Sequence, residues 1–327
     1  MSQRLRIACW DYDRVAALRD GRVGIEGCEV EFTVSPPHGF FFRAGEQPPF
    51  EVMEQSMSSY LTRRSRGPTP YTAIPVFPAR MFRHSAIFIR TDRGIDAPAD
   101  LKGRRVGVPL YGITAAMTAR GILSDEYGVR AEDVIWVNGA LEAGDRHFTH
   151  DLGIPKSVRI EQAPEGKTLS AMLAAGEIDG LVTAAAPSTR RAPNVAPLFR
   201  DCRAVEQEYF RKTGVFPIMH AIGIKTDLLE QDPSLALRVY RGFCEAKDIC
   251  LHDIEGDGGA VKAAVPWLLP ELDATRAVMG EDFWPYGLEK NRKALEAATR
   301  WSFEQHLSPR KLAPEELFAS ETVGVPA

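Results

Sequence analysis

The chain has 327 residues, 44% of them hydrophobic and 26% charged, with a formal net charge of −4. A chain of that length buries roughly 75% of its unfolded surface, and a single small core would be unusual, so two lobes are expected. A mildly acidic balance lacks the clustered Lys and Arg that a nucleic-acid backbone or an anionic membrane surface demands, so neither is expected as a partner.

The N-terminal stretch MSQRLRIACWDYDR is interrupted by Arg4, Arg6, Asp11, Asp13 and Arg14. It leaves no room for a signal-peptide core of about 7–15 apolar residues. Nor does any later stretch approach the roughly 18 apolar residues of a membrane span, so a cytoplasmic protein is expected. The same segment supplies the first strand, with Leu5, Ile7 and Cys9 alternating against Arg4, Arg6 and Ala8. GCEVEFTV sets Val30, Phe32 and Val34 against Glu29, Glu31 and Thr33, the period of a half-buried strand. FEVMEQSM and YTAIPVFP read as two further strands, with a helix from about Ser58 to Arg66.

Beyond residue 90 the pattern restarts, with LKGRRVGVP, DVIWVNG, SVRIEQ and IDGLVTAAAP as strands. Between them lie a helix from Thr114 to Tyr127 stopped by Gly128, and another in KTLSAMLAAG stopped by Gly176, with Leu169, Met172 and Leu173 as its buried stripe. From Asp232-Pro233 onward the chain reads as largely helical. Strands alternating with helices predict an α/β fold with mostly parallel sheets. Two strands stand apart, SAIFIRTD at 85–92 and AIGIKTDLL at 221–229, each an apolar run ending in a basic residue followed by Thr-Asp. They predict crossovers between lobes: residues 1–88 and 224–327 form a discontinuous lobe one, 89–223 form lobe two, and a ligand cleft lies beside two adjacent crossover strands.

Several chemistries are excluded by missing residues: there is no GxGxxG, GxSxG or HExxH. Gly166-Lys167-Thr168 imitates the end of a P-loop, but Glu161 stands where that loop needs glycine. The five cysteines, Cys9, Cys28, Cys202, Cys244 and Cys250, are scattered and never spaced as CxxC, and read as small buried hydrophobes.

Candidate site residues cluster before the two crossovers. IPVFPARMFRHSAIFIR carries Arg80, Arg83 and His84 behind two prolines that stiffen a loop, and RKTGVFPIMHAIGIK ends its own approach in His220. Two histidines at matching positions suit proton transfer, because an imidazole titrates near pH 6.5. Arg80 and Arg83 offer the guanidinium fork that matches a carboxylate. Thr114 begins a helix, where unpaired N–H groups and the dipole favour an anion. Trp10, Asp11 and Tyr12 follow the first strand at its carboxyl end, where open α/β sheets bind ligands. Tyr111 and Ser56 join Trp10 and Asp11 as substrate-binding candidates. GEDFWPYGLEKNR, residues 280 to 292, reads as core packing or as a cleft wall. Two histidines with Glu54 or Asp11 could make a metal ligand set, but nothing in the spacing supports a divalent metal, and no metal is assigned.

Taken together, FEVMEQSM, IPVFPARMFRHSAIFIR, DLKGRRVGVP, EYGV, LAAGEIDGLV, FRKTGVFPIMH and GEDFWPYGLEKNR resemble the 4,5-dihydroxyphthalate decarboxylases across nearly the whole chain. The resemblance implies a two-lobed α/β fold of the type II periplasmic-binding-protein kind put to catalytic use. It implies an aromatic-acid lyase of phthalate-type catabolism, giving protocatechuate and carbon dioxide. The family pattern carries an arginine near the end of the strand after GEID, where this chain has Ala185; loss of that carboxylate clamp predicts a substrate with a missing or relocated carboxylate, unless Arg190 or Arg191 compensates. A hydroxyl para to the leaving carboxylate lets an acid protonate the carbon that bears it, so no cofactor is expected. His84 or His220 is then the proton donor and the other the partner of the ring hydroxyls, while Arg83 and the Thr114 helix start hold carboxylates. The expected partner is a small aromatic carboxylate, and the protein is expected to be a homo-oligomer. Two rivals share the fold. One is a binding protein that captures an aromatic carboxylate unchanged. The other is an enzyme of thiamine-pyrimidine synthesis, whose run of adjacent cysteines is absent here.

Overall fold

Residues 3–35, 50–145, 153–256 and 263–326 are described by the structure, a computed structural model. The chain divides into two units, one of Met1–Arg80, Thr213–Glu296 and Leu312–Ala327, the other of Met81–Lys212 and Ala297–Lys311. The boundaries expected near residues 88 and 224 thus fall 8 to 11 residues earlier, and 297–311 belongs to the second unit instead of the first. Local packing explains the latter. The Trp301 indole lies so close to the helix Thr114–Tyr127 that a Cβ on Gly121 would sit 2.3 Å from Trp301 Cδ2. Trp301 Nε1 also donates to Asp125 at 2.8 Å, and Arg300 reaches the same carboxylate at 2.6 Å.

Strands are numbered along the chain. In the first unit β1 (Gln3–Cys9), β2 (Cys28–Val34), β3 (Val52–Ser56), β4 (Tyr71–Arg80) and β11 (Ile218–Lys225) form one sheet in the order β2-β1-β3-β11-β4. β1 runs parallel to β2 and β3, while β11 is antiparallel to β3 and β4. The alternation in β1 buries Leu5, Ile7 and Cys9 to 1% exposure or less. As an edge strand β2 only half-buries Val30 and Phe32, and leaves Val34 exposed against expectation. β3 lies centrally and all five of its residues are buried, including Glu54.

The prolines of YTAIPVFPAR do not stiffen a loop, as expected, but sit within β4, on the sheet edge where a missing N–H is tolerated. The register jumps there: Ile222 faces Ile74, yet His220, two residues away, faces Ala79. β4 therefore bulges over Pro75–Pro78, since proline cannot donate to the ladder. The bulge carbonyls find other donors. Pro75 O accepts from Gly287 N at 2.8 Å, Phe77 O from Trp284 Nε1 at 3.1 Å and Pro78 O from Arg14 Nε at 2.5 Å.

The second unit holds β5 (Ile87–Arg90), β6 (Arg105–Val108), β7 (Ile135–Asn138), β8 (Arg159–Gln162), β9 (Gly180–Val182) and β10 (Val195–Pro197), in the order β10-β5-β9-β6-β7-β8. β6 to β9 run parallel, and β5 is antiparallel to both of its neighbours, β9 and β10. The helix Thr114–Tyr127 ends on Gly128 at φ +63°, as its sequence predicts. The helix Leu169–Ala175 buries Leu169, Met172 and Leu173 against Ile178 and Leu181.

One expectation fails at this level. The two crossover strands are not neighbours: β11 pairs with β3 and β4 in one sheet, β5 with β9 and β10 in the other. β11 buries Ile222 and Ile224 between two strands of its own unit, which leaves it no edge for β5. No helix among the described residues is long and apolar enough to cross a membrane.

Candidate active site

The parallel register that sets Ala8 against Met53 continues to place the end of β1 beside Glu54, and β11 sets His220 opposite Ser56, one step of the pleat from Glu54. A carboxylate in the middle of a fully buried strand must find hydrogen-bond donors, because an unpaired charge there would cost several kcal/mol. Glu54, 4% exposed, has four. His220 Nδ1 lies 2.5 Å and Tyr12 Oη 2.8 Å from Oε1, while Trp10 N and Cys9 Sγ lie 2.9 and 3.4 Å from Oε2.

Burial by itself pushes the Glu54 carboxyl up; the His220 charge, the His220 hydrogen bond and those from Trp10 N and Tyr12 outweigh it and hold the group below the usual carboxylate range. Glu54 is an ionised acceptor at neutral pH. Burial, followed by that same negative charge, raises the Tyr12 phenol and the Cys9 thiol, so both stay protonated donors. A carboxylate gripping Nδ1 fixes the orientation of the His220 ring. The arrangement is a positioned proton donor and acceptor.

An aromatic wall adjoins it. The Arg14 guanidinium lies between the rings of Tyr12 and Trp284, 4.4 and 4.2 Å from their centroids, and Trp284 meets Phe216 edge-on at 5.4 Å. Trp10, 36% exposed, follows β1 at the same carboxyl edge.

The structure sorts the remaining candidates. Arg80, expected to bind substrate, is spent within the fold: Nη2 donates to Phe216 O at 2.6 Å and Nη1 to Pro285 O at 3.1 Å, and burial lowers its pKa to about 9. Tyr111 is likewise a core residue, 0% exposed, with the Arg120 guanidinium 3.7 Å from its ring centroid. Asp11 is exposed and ion-paired with Arg19. Ser56 is buried opposite His220.

His84 belongs to the second unit, and the adjacency expected to bring it to His220 fails with the strand pairing. It is 0% exposed, caged edge-on by Phe199 and Tyr209 at 5.2 and 5.1 Å. Neither ring nitrogen has a hydrogen-bond partner among the described residues, and burial lowers its pKa to about 4. A sealed, neutral ring is a poor general acid. In the same unit Arg83 is buried near Glu206, and Thr114 is buried as the first residue of its helix. Ala185, Arg190 and Arg191 are all exposed after β9, the two arginines in the turn that leads to β10.

Sequence reasoning weighed Glu54 only as a metal ligand and left Cys9 and Arg14 without a role. The signal that could have found Glu54 is an acidic residue amid an apolar strand. No group of three or more His, Cys, Asp or Glu among the described residues could hold a metal ion.

The fold and the site define a class, a periplasmic-binding-protein-like α/β protein with a hydrogen-bonded Glu54–His220 pair on two interior strands of one sheet. The NMT1/THI5 like family matches residues 79–150. The periplasmic aliphatic sulphonate binding protein SsuA from Escherichia coli superposes with a TM-score of 0.55 at 12% identity, covering 98% of this chain and 99% of that one. Two relatives are called 4,5-dihydroxyphthalate decarboxylase. That from Comamonas testosteroni is 41% identical over 317 residues, 96% of either chain, and that from Pseudomonas putida 43% identical over 209 residues, 63% of this chain and 81% of its own. The chain belongs to the 4,5-dihydroxyphthalate decarboxylase family, and is a carboxy-lyase.

Proposed function

We propose that the protein removes one carboxylate from 4,5-dihydroxyphthalate or a close hydroxylated aromatic acid, without a cofactor, as a step in the catabolism of phthalate-type compounds. The observation that carries this reading is the His220–Glu54 contact of 2.5 Å. Relatives named for that substrate support the substrate class.

Protonated His220 gives its Nε2 proton to the ring carbon that bears the leaving carboxylate. The new C–H bond uses a π pair of the ring, and the hydroxyl para to that carbon, keeping its proton, feeds electron density in, giving an O-protonated dienone. The bond to the carboxylate then breaks, its electron pair returns to the ring, carbon dioxide departs and aromaticity is restored. Imidazole regains a proton from solvent, so the net change is one proton taken up and one carbon dioxide released. Ionised Glu54 holds the His220 ring in place throughout, and the Cys9, Trp10 and Tyr12 donors keep Glu54 ionised. Trp10 offers the substrate ring a stacking face.

The test is incubation of purified protein with 4,5-dihydroxyphthalate and related hydroxybenzoates while carbon dioxide release is followed. His220→Asn is expected to lower turnover by about 10²–10⁴-fold with a smaller change in affinity, as for loss of a general acid. If wild-type protein returns every ligand intact, the protein is a binding module and this reading fails.

A further inference from the structure

We infer that Arg14 is a specificity-determining residue, holding the carboxylate that the substrate keeps while the other leaves at His220; this rests on the decarboxylase reading above. The guanidinium is immobilised on every side but one. Two aromatic faces clamp it, from Tyr12 at 4.4 Å and Trp284 at 4.2 Å, and the latter ring is itself tied to Phe77 O. Nε is fixed by Pro78 O at 2.5 Å, a carbonyl that the proline bulge of β4 releases from the sheet, and Nη1 by Asp13 at 2.8 Å. Nη2 has no acceptor among the described residues, yet it is not sealed off, since it is absent from the buried atoms that lack a partner. The side chain as a whole is 16% exposed. A cation held rigid with one edge presented has its ordering cost met by the fold, which is what makes an anion receptor selective.

Position ties this edge to the dyad. Tyr12 carries Arg14 on its ring face and Glu54 on its hydroxyl, and Glu54 in turn carries His220. Guanidinium and imidazole are thus linked through one phenol and one carboxylate. A ring whose one carboxylate lies on Arg14 brings its other substituents toward His220. Asp13, 59% exposed, offsets part of the Arg14 charge but engages only Nη1.

The experiment measures equilibrium binding as well as turnover. Wild-type protein, Arg14→Gln and Arg14→Lys are titrated calorimetrically with 3,4-dihydroxybenzoate, which keeps one carboxylate, and with catechol, which has none; kcat and KM are measured for 4,5-dihydroxyphthalate. Arg14→Gln is expected to weaken 3,4-dihydroxybenzoate by about 10- to 100-fold, the size of one lost charge-assisted hydrogen bond, and to leave catechol within about threefold. KM for the dicarboxylate should rise by a similar factor with a smaller change in kcat, and Arg14→Lys should fall between, because it keeps the charge but not the rigid planar group that the Tyr12 and Trp284 rings hold. Equal weakening of both ligands, or unchanged binding of 3,4-dihydroxybenzoate, would overturn the assignment. If Arg14→Gln does not fold, the Arg14→Lys comparison decides alone. Wild-type protein that binds 3,4-dihydroxybenzoate through Arg14 but releases no carbon dioxide from any ligand would sink the decarboxylase reading and leave the carboxylate site standing.

Discussion

His84 gives the structure a measurable pH liability. In the unfolded chain it titrates near 6.5, and in the folded protein burial lowers it to about 4. Between those values the unfolded chain binds a proton that the folded chain refuses, so stability is complete above about pH 6.5 and is lost as pH falls toward 4. At 1.36 kcal/mol per unit the full window is worth about 3 kcal/mol, and the part down to pH 5 about 2 kcal/mol. No solvent discount applies, because the ring is 0% exposed. His84→Phe keeps an aromatic ring between Phe199 and Tyr209 and removes two nitrogens that have no hydrogen-bond partner, Glu206 Oε1 lying 4.0 Å from Nδ1. Urea unfolding at pH 7.5, 6.5, 5.5 and 5.0 should show wild-type protein losing about 2 kcal/mol more than the variant. Glu54 does not confuse the comparison. Its pKa is depressed, so its contribution is present above the ordinary carboxylate value and is lost only at pH values below that. Parallel pH profiles for wild type and variant would refute the assignment of a buried, neutral imidazole.

Glu54→Gln removes the charge that holds the His220 ring while keeping size and one acceptor, so kcat should fall by about 10²–10⁴-fold with KM little changed; a variant with near-normal kcat would remove Glu54 from the chemistry. Arg80→Met strips the donors from Phe216 O and Pro285 O, and should lower stability by about 2–4 kcal/mol in denaturant titration, with KM unaltered if the residue is structural as its contacts indicate. Gly121→Ala pushes a methyl group into the Trp301 ring and should cost about 1–3 kcal/mol or more, read as a lowered unfolding midpoint and a shift in tryptophan fluorescence. Ala185→Arg, at an exposed position after β9, should raise kcat/KM for 4,5-dihydroxyphthalate if the missing cation limits it; an unchanged value would show that the departure is tolerated.

The elements that sequence made legible are those whose signal is local. Alternation in β1 and the glycines at 128 and 176 depend on neighbours within a few residues, and the structure puts the strand and both helix ends where those residues indicate. Which strand pairs with which is not a local property. The likeness of SAIFIR and AIGIK suggested adjacency, but two similar apolar runs can each be buried in a separate sheet, and the period of a strand carries no information about its partner. The placement of His84 failed through that one step, since its position before β5 was read correctly and only its neighbours were not.

The dyad was half-legible for a related reason. His220 drew attention as a titrating group at the start of an apolar strand, whereas Glu54 lay hidden in FEVMEQSM, where it and Glu51 look like the polar positions of a strand pattern. Only the pairing of β3 between β1 and β11 shows that no face of that strand meets water, and a carboxylate there requires donors from both neighbours. β1 and the residues after it supply Cys9, Trp10 and Tyr12, and β11 supplies His220. The prolines of β4 complete the logic. Their bulge lies opposite His220 and hands a carbonyl to Arg14, so the same break in the ladder that spoils the strand pattern in the sequence holds the Arg14 guanidinium against Tyr12, whose hydroxyl donates to Glu54.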